Sequence, residues 1–511
     1  MQLVETSASH HWIVRRWFTP SGALVAEAAP GLAPAAVFAA LAPLPHALFL
    51  DSARTDAPAA GTSFRLGRHS FVTADPVHVE RAAATAPAAD GVALAGALGR
   101  LSALLADLAA PSIPGLPPFQ GGVAGFLSYE CGLALLGVPT PPGRDPAVPL
   151  FSLAVHDVVF AHDHDTGRGW FISQGVPARG PAARRARAAE RLEAVLAAAD
   201  ATRGHRLARS QPGHPLPGHP LPGHPGVTSS HTRDSYLEMV ARAIELIRAG
   251  DMFQVNLAQR FAVAAAADPI ALHALARTAN PAPFAACLDL GSATLVSMSP
   301  ERFLQVARGV VRMHPIKGTR RVTDRPEADL HAGADLRESV KDRAENVMIV
   351  DLVRNDLARV CTPASVRVEA LCRLERYSTV QHLVSIAAGR LRPGLGPLDA
   401  LVAALPAGSV TGAPKHRACE IISDLEGFAR AAYCGSVGYV GFDGAADFNL
   451  LIRTLVATPD SLTFAAGGGI TAASEPAAEH AESLDKAEGV LRVIAALGAG
   501  AGGRHVPGPS A

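Results

Sequence analysis

The 511-residue chain has no excess of either charge, few aromatics and no closely paired cysteines. Lys plus Arg and Asp plus Glu both number 46, and that balance argues against a nucleic-acid or membrane-surface partner. The six cysteines (Cys131, Cys287, Cys361, Cys372, Cys419, Cys434) are scattered without a Cys-x-x-Cys pair. They read as reduced thiols in or near a core, consistent with a cytoplasmic protein. No apolar signal-peptide core is visible near the N-terminus, where Trp12 to Trp17 is interrupted by Arg15 and Arg16. The longest apolar stretch, 91–110, carries Arg100 and Asp107 and is expected as a buried helix, with no membrane span. Neither a Walker motif nor a G-x-G-x-x-G fingerprint is present. Aromatics at 5% and an alanine-inflated apolar share of 49% suit an ordinary soluble protein.

What is present falls into two regions. Residues 1–203 mix strand-like runs with alanine-rich helices. Strands are expected at 48–52, 71–74, the glycine-rich 121–129, 152–160 and 170–172, the last pairing back across Asp165-Thr166-Gly167. From 204 to 230 a Gly-His-Pro repeat at 213, 218 and 223 cannot build a core and is expected as an extended, mobile linker. The second region, 231–497, opens on a helix capped by Thr232, with Tyr236, Val240, Ala243, Ile244 and Ile247 on one face. Hairpins then dominate over βαβ units, so antiparallel sheets with helices packed outside are expected: an α+β fold. A single helix is expected from about 336 to 357, one strand over 448–457, and a last helix from Pro476. The Gly/Pro-rich tail, 498–511, is expected to be disordered.

The most informative stretch is His314-Pro315-Ile316-Lys317-Gly318-Thr319-Arg320. A turn at Arg308-Gly309 would fold the segment 298–317 as a hairpin and bring Glu301 opposite Lys317, with side chains about 5 Å apart. An acid beside an amine at a Gly/Pro-marked turn is acid-plus-nucleophile geometry, although a surface ion pair uses the same residues. To attack, Lys317 must be neutral, well below the ordinary lysine value of about 10.4.

Two acidic stripes accompany it. Glu338, Asp342 and Glu345 share one helical face, as do Glu475, Glu479 and Glu482 with Lys486. One such stripe is usually a solvated face; two, each flanked by core residues, suggest a divalent cation between helices. Oxygen-only ligands point to Mg²⁺. Candidate carboxylate binders are Arg453, sharing a strand face with Asp447 and Asn449, and the backbone of Gly467-Gly468-Gly469. Gly408-Ser409-Val410-Thr411-Gly412-Ala413-Pro414-Lys415 has the form of an anion-binding turn before a helix, or of a plain helix start. His382 lies within a strand.

These motifs, with SPERF at 299, PIKGTR at 315, AENVMIVDLVRNDLARVC at 344, QHLVS at 381, GSVTGAPK at 408, YCGSVGYVGF at 433, DFNLLIRT at 447, GGGI at 467 and EHAESLDKAEG at 479, resemble the chorismate-utilising enzymes over nearly the whole chain. The resemblance implies a two-domain α/β sandwich of intertwined sheets and a Mg²⁺-dependent chorismate site. It implies that Glu345 and Glu482 hold the ion, supported by Asp342 and Glu479. Gly318, Thr319, Ser409, Tyr433, Arg453, Gly469 and Lys486 would bind substrate. Lys317 would be the nucleophile, Glu301 the acid, and His382 would act near the departing oxygen. Lysine at 317 is similar to the aminodeoxychorismate branch, where anthranilate synthases usually carry alanine. Gln254 stands where isochorismate and salicylate synthases carry a water-activating lysine. No glutaminase module is visible, so the resemblance implies ammonia from a separate glutamine amidotransferase subunit.

Overall fold

The computed structural model describes residues 10–53, 66–83, 85, 87–201, 218–322, 325–376 and 380–501. Its strands form one sheet of fourteen and one of ten, and every pairing of named strands is antiparallel. Each sheet is assembled from both halves of the chain. In the larger sheet Leu48–Asp51 pairs with Phe284–Asp289. In the smaller, Gly122–Leu127 pairs with Ser436–Gly441. The glycines of that second seam are required by backbone proximity: a Cβ on Gly122 would meet the Val440 carbonyl oxygen at 2.1 Å, and one on Gly125 the Ser152 oxygen at 2.1 Å.

Apolar residues from both sheets, among them Leu48, Phe126, Ile172, Tyr439 and Val456, form a core between them. The outer faces are covered by helices, with Leu94, Leu101 and Ile349 over one sheet and Phe38, Leu192 and Val490 over the other. Helices therefore sit outside two stacked sheets, which is the α+β sandwich expected from the sequence.

Several expectations need correction. The helix read over 336–357 is two, Pro326–Glu338 and Val340–Ala358, because Ser339 leaves helical geometry and its hydroxyl caps the Asp342 N–H at 3.2 Å. Glu338 therefore lies on a different helix from Asp342 and Glu345. The runs read as single strands at 152–160 and 448–457 each break and cross between sheets. Phe151–His156 belongs to the smaller sheet and Val158–Asp163 to the larger, with buried Asp157 at the break accepting from Arg191. Likewise Ala446–Asn449 lies in the smaller sheet and Thr454–Ala457 in the larger.

The second part of the expected linker is also built into the fold: His219–Pro220 pairs with Val227–Ser229, which joins Gln254–Val263, and Leu221 and Val227 are buried. Residues 204–217 of that linker lie outside the described residues. So does most of the expected tail, while the last helix runs Pro476–Ala501. Helix Pro87–Asp107, long and apolar enough to cross a bilayer, is buried on one face only, through Asp90, Leu94, Ala97, Leu98 and Leu101.

Candidate active site

Strand Ile316–Arg321 lies at one end of the smaller sheet, paired with Val380–Arg390. Between it and the paired strands Gln254–Val263 and Leu462–Ile470 of the larger sheet lies a cavity of about 620 Å³. Helices Val340–Ala358 and Pro476–Ala501 supply its acidic wall.

Glu301 and Lys317 both line this cavity, but by a different route from the hairpin expected. Arg308 and Gly309 do turn the chain, with positive φ at both, and Arg302–Ala307 pairs with Val310–Met313 from Gln305↔Arg312 to Ala307↔Val310. Beyond Arg312 the chain leaves that partner, and Lys317 instead stands opposite Leu383. The acid and the amine thus share the cavity without forming a cross-strand pair.

Their surroundings push the two groups toward the protonation states the chemistry needs. Burial raises the Glu301 carboxyl to about 7, against the opposing pull of the Ser409 hydroxyl and the Lys317 charge. Ser409 Oγ donates to Glu301 Oε1 at 3.0 Å. Lys317 is half-buried where it opens onto the cavity, and loss of water lowers its amine below the lysine range, although Glu345 pulls the other way. A protonated acid and an amine with a weakened hold on its proton therefore share one chamber near neutral pH.

The acidic residues approach from the two helices. Burial raises Glu345. For Glu482 burial acts upward but is outweighed by Lys486, bonded at 2.7 Å, so its carboxyl is lowered. Asp342 is 3.3 Å from Arg320. Glu479 accepts from Lys341 at 3.2 Å and from Ser474 at 2.6 Å through Oε1, while its buried Oε2 has no protein partner. Gly468 lets these groups come close: a Cβ there would stand 3.1 Å from Glu479 Oε2 and 3.5 Å from Glu482 Oε1.

An orphaned buried carboxylate oxygen beside further carboxylates suits a hard cation that keeps part of its water, so the residues fit Mg²⁺. Among the described residues the ligand atoms grouped within 4.8 Å of one another are those of His10, His11 and Asp200, not the acidic set. His10 bridges Asp200 and the Trp12 N–H with its two ring nitrogens, which leaves neither free for an ion.

The remaining candidates also gather here. Gly318, His382, Ser409, Tyr433, Arg453, Gly469 and Lys486 line the cavity. Arg453 reaches it from the sheet-crossing segment at φ 52°, not from a strand face shared with Asp447, which instead forks to Arg302 at 2.9 Å. Asn449 is occupied by the Val437 N–H and the Phe284 carbonyl. The backbone of Thr319 stands opposite His382; its side chain is outside the described residues. Gly469 faces Gln254, since a Cβ there would meet Gln254 Nε2 at 2.3 Å and Lys317 Nζ at 3.3 Å.

The 408–415 turn contributes Ser409 to the site, whereas Lys415 is turned away into an ion pair with Asp356 at 2.8 Å. Sequence reasoning missed two features. Lys341 spans the two helices, bonded to Glu479 at 3.2 Å and acting on Glu345 of its own helix. The buried pair Arg430–Glu426 stands behind the site, and its signal was a charge at i,i+4 amid Phe428, Ala429 and Ala431.

The family described as chorismate binding enzyme matches residues 68–492. The chain is 40% identical over 401 residues to anthranilate synthase component 1 of Streptomyces coelicolor, covering 78% of this chain and 77% of that protein. It is 37% identical over 390 residues to aminodeoxychorismate synthase component 1 of Salmonella typhimurium, covering 74% and 77%. The crystal structure of anthranilate synthase component I from Streptococcus pneumoniae superposes with a TM-score of 0.66 at 26% identity, over 86% of this chain and 94% of that one.

Proposed function

The chain belongs to the chorismate binding enzyme family, and from that premise we propose that it is an aminodeoxychorismate synthase component I. Its relatives carry both the aminodeoxychorismate and the anthranilate synthase names, so chorismate use is common ground and the product is the question. The observation that carries the choice is Lys317, an amine lowered by burial in the same cavity as a carboxyl held at about 7.

In this reading the neutral Lys317 amine bonds to ring C2 of chorismate as the C4–O bond breaks, and Glu301 passes its proton to the departing hydroxyl, which leaves as water. Ammonia then bonds to C4, the C2–N bond to lysine breaks, and the surplus proton returns to Glu301. Chorismate and ammonia become 4-amino-4-deoxychorismate and water. His382, buried opposite Thr319 and lining the cavity, would orient the C4 oxygen. Arg453, Tyr433, Lys486 and the Gly467–Gly469 backbone bind the substrate carboxylates. Glu345 and Glu482, with Asp342 and Glu479 in support, would hold Mg²⁺. When bound, the ion would supply positive charge against the ring carboxylate. Ammonia would come from a separate glutamine amidotransferase subunit.

The test is product mass spectrometry with chorismate, ammonium and Mg²⁺. Aminodeoxychorismate is expected; anthranilate with pyruvate as the main product would overturn the assignment in favour of anthranilate synthase component I. Because burial raises Glu345, Mg²⁺ binding followed by calorimetry should release protons increasingly as the pH is lowered, and Glu345→Gln should reduce that release. Proton release unchanged in the variant removes Glu345 from the ion site.

A further inference from the structure

Behind the cavity, outside the reacting groups, lies the most completely enclosed charge among those described above. The Arg430 side chain is 1% exposed and its partner Glu426 is 0% exposed. All three guanidinium nitrogens are engaged. Nε and Nη2 fork to Glu426 at 2.9 and 2.6 Å, Nη1 donates to the Val410 carbonyl at 2.7 Å, and Nη2 also donates to the Asn256 carbonyl at 2.8 Å. The plane lies against the rings of Tyr129 and Tyr433, with its carbon 4.8 and 5.4 Å from their centroids. Glu426 in turn accepts the Ala258 N–H at 2.8 Å.

Three of these partners belong to segments that build the reaction cavity. Val410 follows Ser409, the donor to Glu301. Asn256 lines the cavity and pairs with Gly469 on the neighbouring strand. Tyr433 lines the cavity itself. A buried charge with this many directional contacts is a costly way to fill a core, since apolar residues of similar volume often serve stability as well. Its distinctive property is that one planar group joins two separate backbone segments and the Glu426 carboxylate at once, which lysine's single nitrogen does not reproduce.

We propose that Arg430 is a positioning residue for the reaction, holding the Ser409–Val410 turn and the Asn256 strand so that the Ser409 hydroxyl meets Glu301. This rests on the reading of Glu301 as the general acid. The charged and titratable groups facing Glu301 are Lys317, Lys486 and the Cys434 thiol, which Arg430 also touches at 3.5 Å, together with the Ser409 hydroxyl and the Ile316 N–H. The Ser409 bond lowers the Glu301 carboxyl against its burial, so loosening that bond raises it further. The rate limb that falls as Glu301 loses its proton then moves to higher pH.

The experiment is the pH profile of kcat for aminodeoxychorismate formation in wild type, Ser409→Ala, Arg430→Lys and the double variant. Arg430→Lys is expected to lower kcat about tenfold or more with little change in KM for chorismate, and to shift the limb upward as Ser409→Ala does. The double variant should shift no further than either single one. If Arg430→Lys does not fold, the charge-neutral pair Glu426→Gln/Arg430→Gln replaces it, with the same shift expected. A folded Arg430 variant that keeps the wild-type limb, or a double variant with additive shifts, overturns the proposal. Glu301→Gln separates the two failures: if it retains the limb, the acid assignment falls, whereas its loss of the limb beside an unmoved Arg430 variant defeats the positioning role alone.

Discussion

Lys317 and Lys415 sit in similar settings in the sequence, each in a turn marked by glycine and proline, yet the fold treats them in opposite ways. Lys415 is 10% exposed and its amine donates to both oxygens of Asp356 at 2.8 Å and to the Ala404 carbonyl at 3.2 Å. Its charge is matched where it lies. Lys317 has no carboxylate ion pair among the described residues; burial acts on it first, and the charges of Glu345 and Glu301 oppose that. Burial alone does not make a lysine reactive. What separates the two is whether a carboxylate lies within hydrogen-bond reach of the amine.

The contrast can be broken most directly by removing each amine. Lys317→Met is expected to lower aminodeoxychorismate formation by about 1,000-fold or more, measured by product mass spectrometry, while thermal stability holds or rises because an unmatched buried amine is gone. A rate near wild type would end the nucleophile assignment. Glu301→Gln should lower the rate by about 100- to 10,000-fold and erase the decline above pH 7. The sign follows from the raised carboxyl: the acid form acts as donor, it persists up to about pH 7, and the rate falls as pH climbs through that value. Lys415→Met should do the reverse of Lys317→Met. It strands Asp356 without its counter-charge and lowers stability by about 3 kcal/mol in denaturant titration, yet leaves the rate per folded molecule within about twofold. Loss of rate without loss of stability there would mean that the two lysines were sorted wrongly. Gly469→Ala sharpens the comparison from the other side, since its methyl would press Gln254 and, behind it, the Lys317 amine. A drop in kcat of about 10- to 100-fold with a small change in melting temperature is expected.

The residues of the site were more legible than the paths that bring them together. Glu301 and Lys317 could be paired from a turn signal because Arg308-Gly309 does turn the chain, but the expected ladder ends at Gln305↔Arg312 and a third strand takes over. Local spacing cannot show which distant strand will compete for an edge. The same limit explains 152–160 and 448–457: a continuous apolar run reads as one strand whether it stays in one sheet or crosses to the next. The crossings turn on residues whose partners are remote, Asp157 bound by Arg191 and Arg453 at the cavity. Ser339 was a readable cap, a serine three residues before Asp342, overridden in the sequence reading by the long helical pattern around it. Arg430 and Glu426 were hidden for a plainer reason. An i,i+4 charge pair is ordinarily a surface feature, and only the surrounding segments reveal that this one has no access to water.

The two seams, one in each sheet, have a consequence for how the protein could be divided. Scission anywhere in 202–217 would cut the covalent chain and leave Leu48–Asp51 hydrogen-bonded to Phe284–Asp289 and Gly122–Leu127 to Ser436–Gly441. Two polypeptides would then migrate as one particle under native conditions. Made separately, each would present raw sheet edges to whatever met it first, so a split gene should yield soluble product only when both pieces are synthesised together.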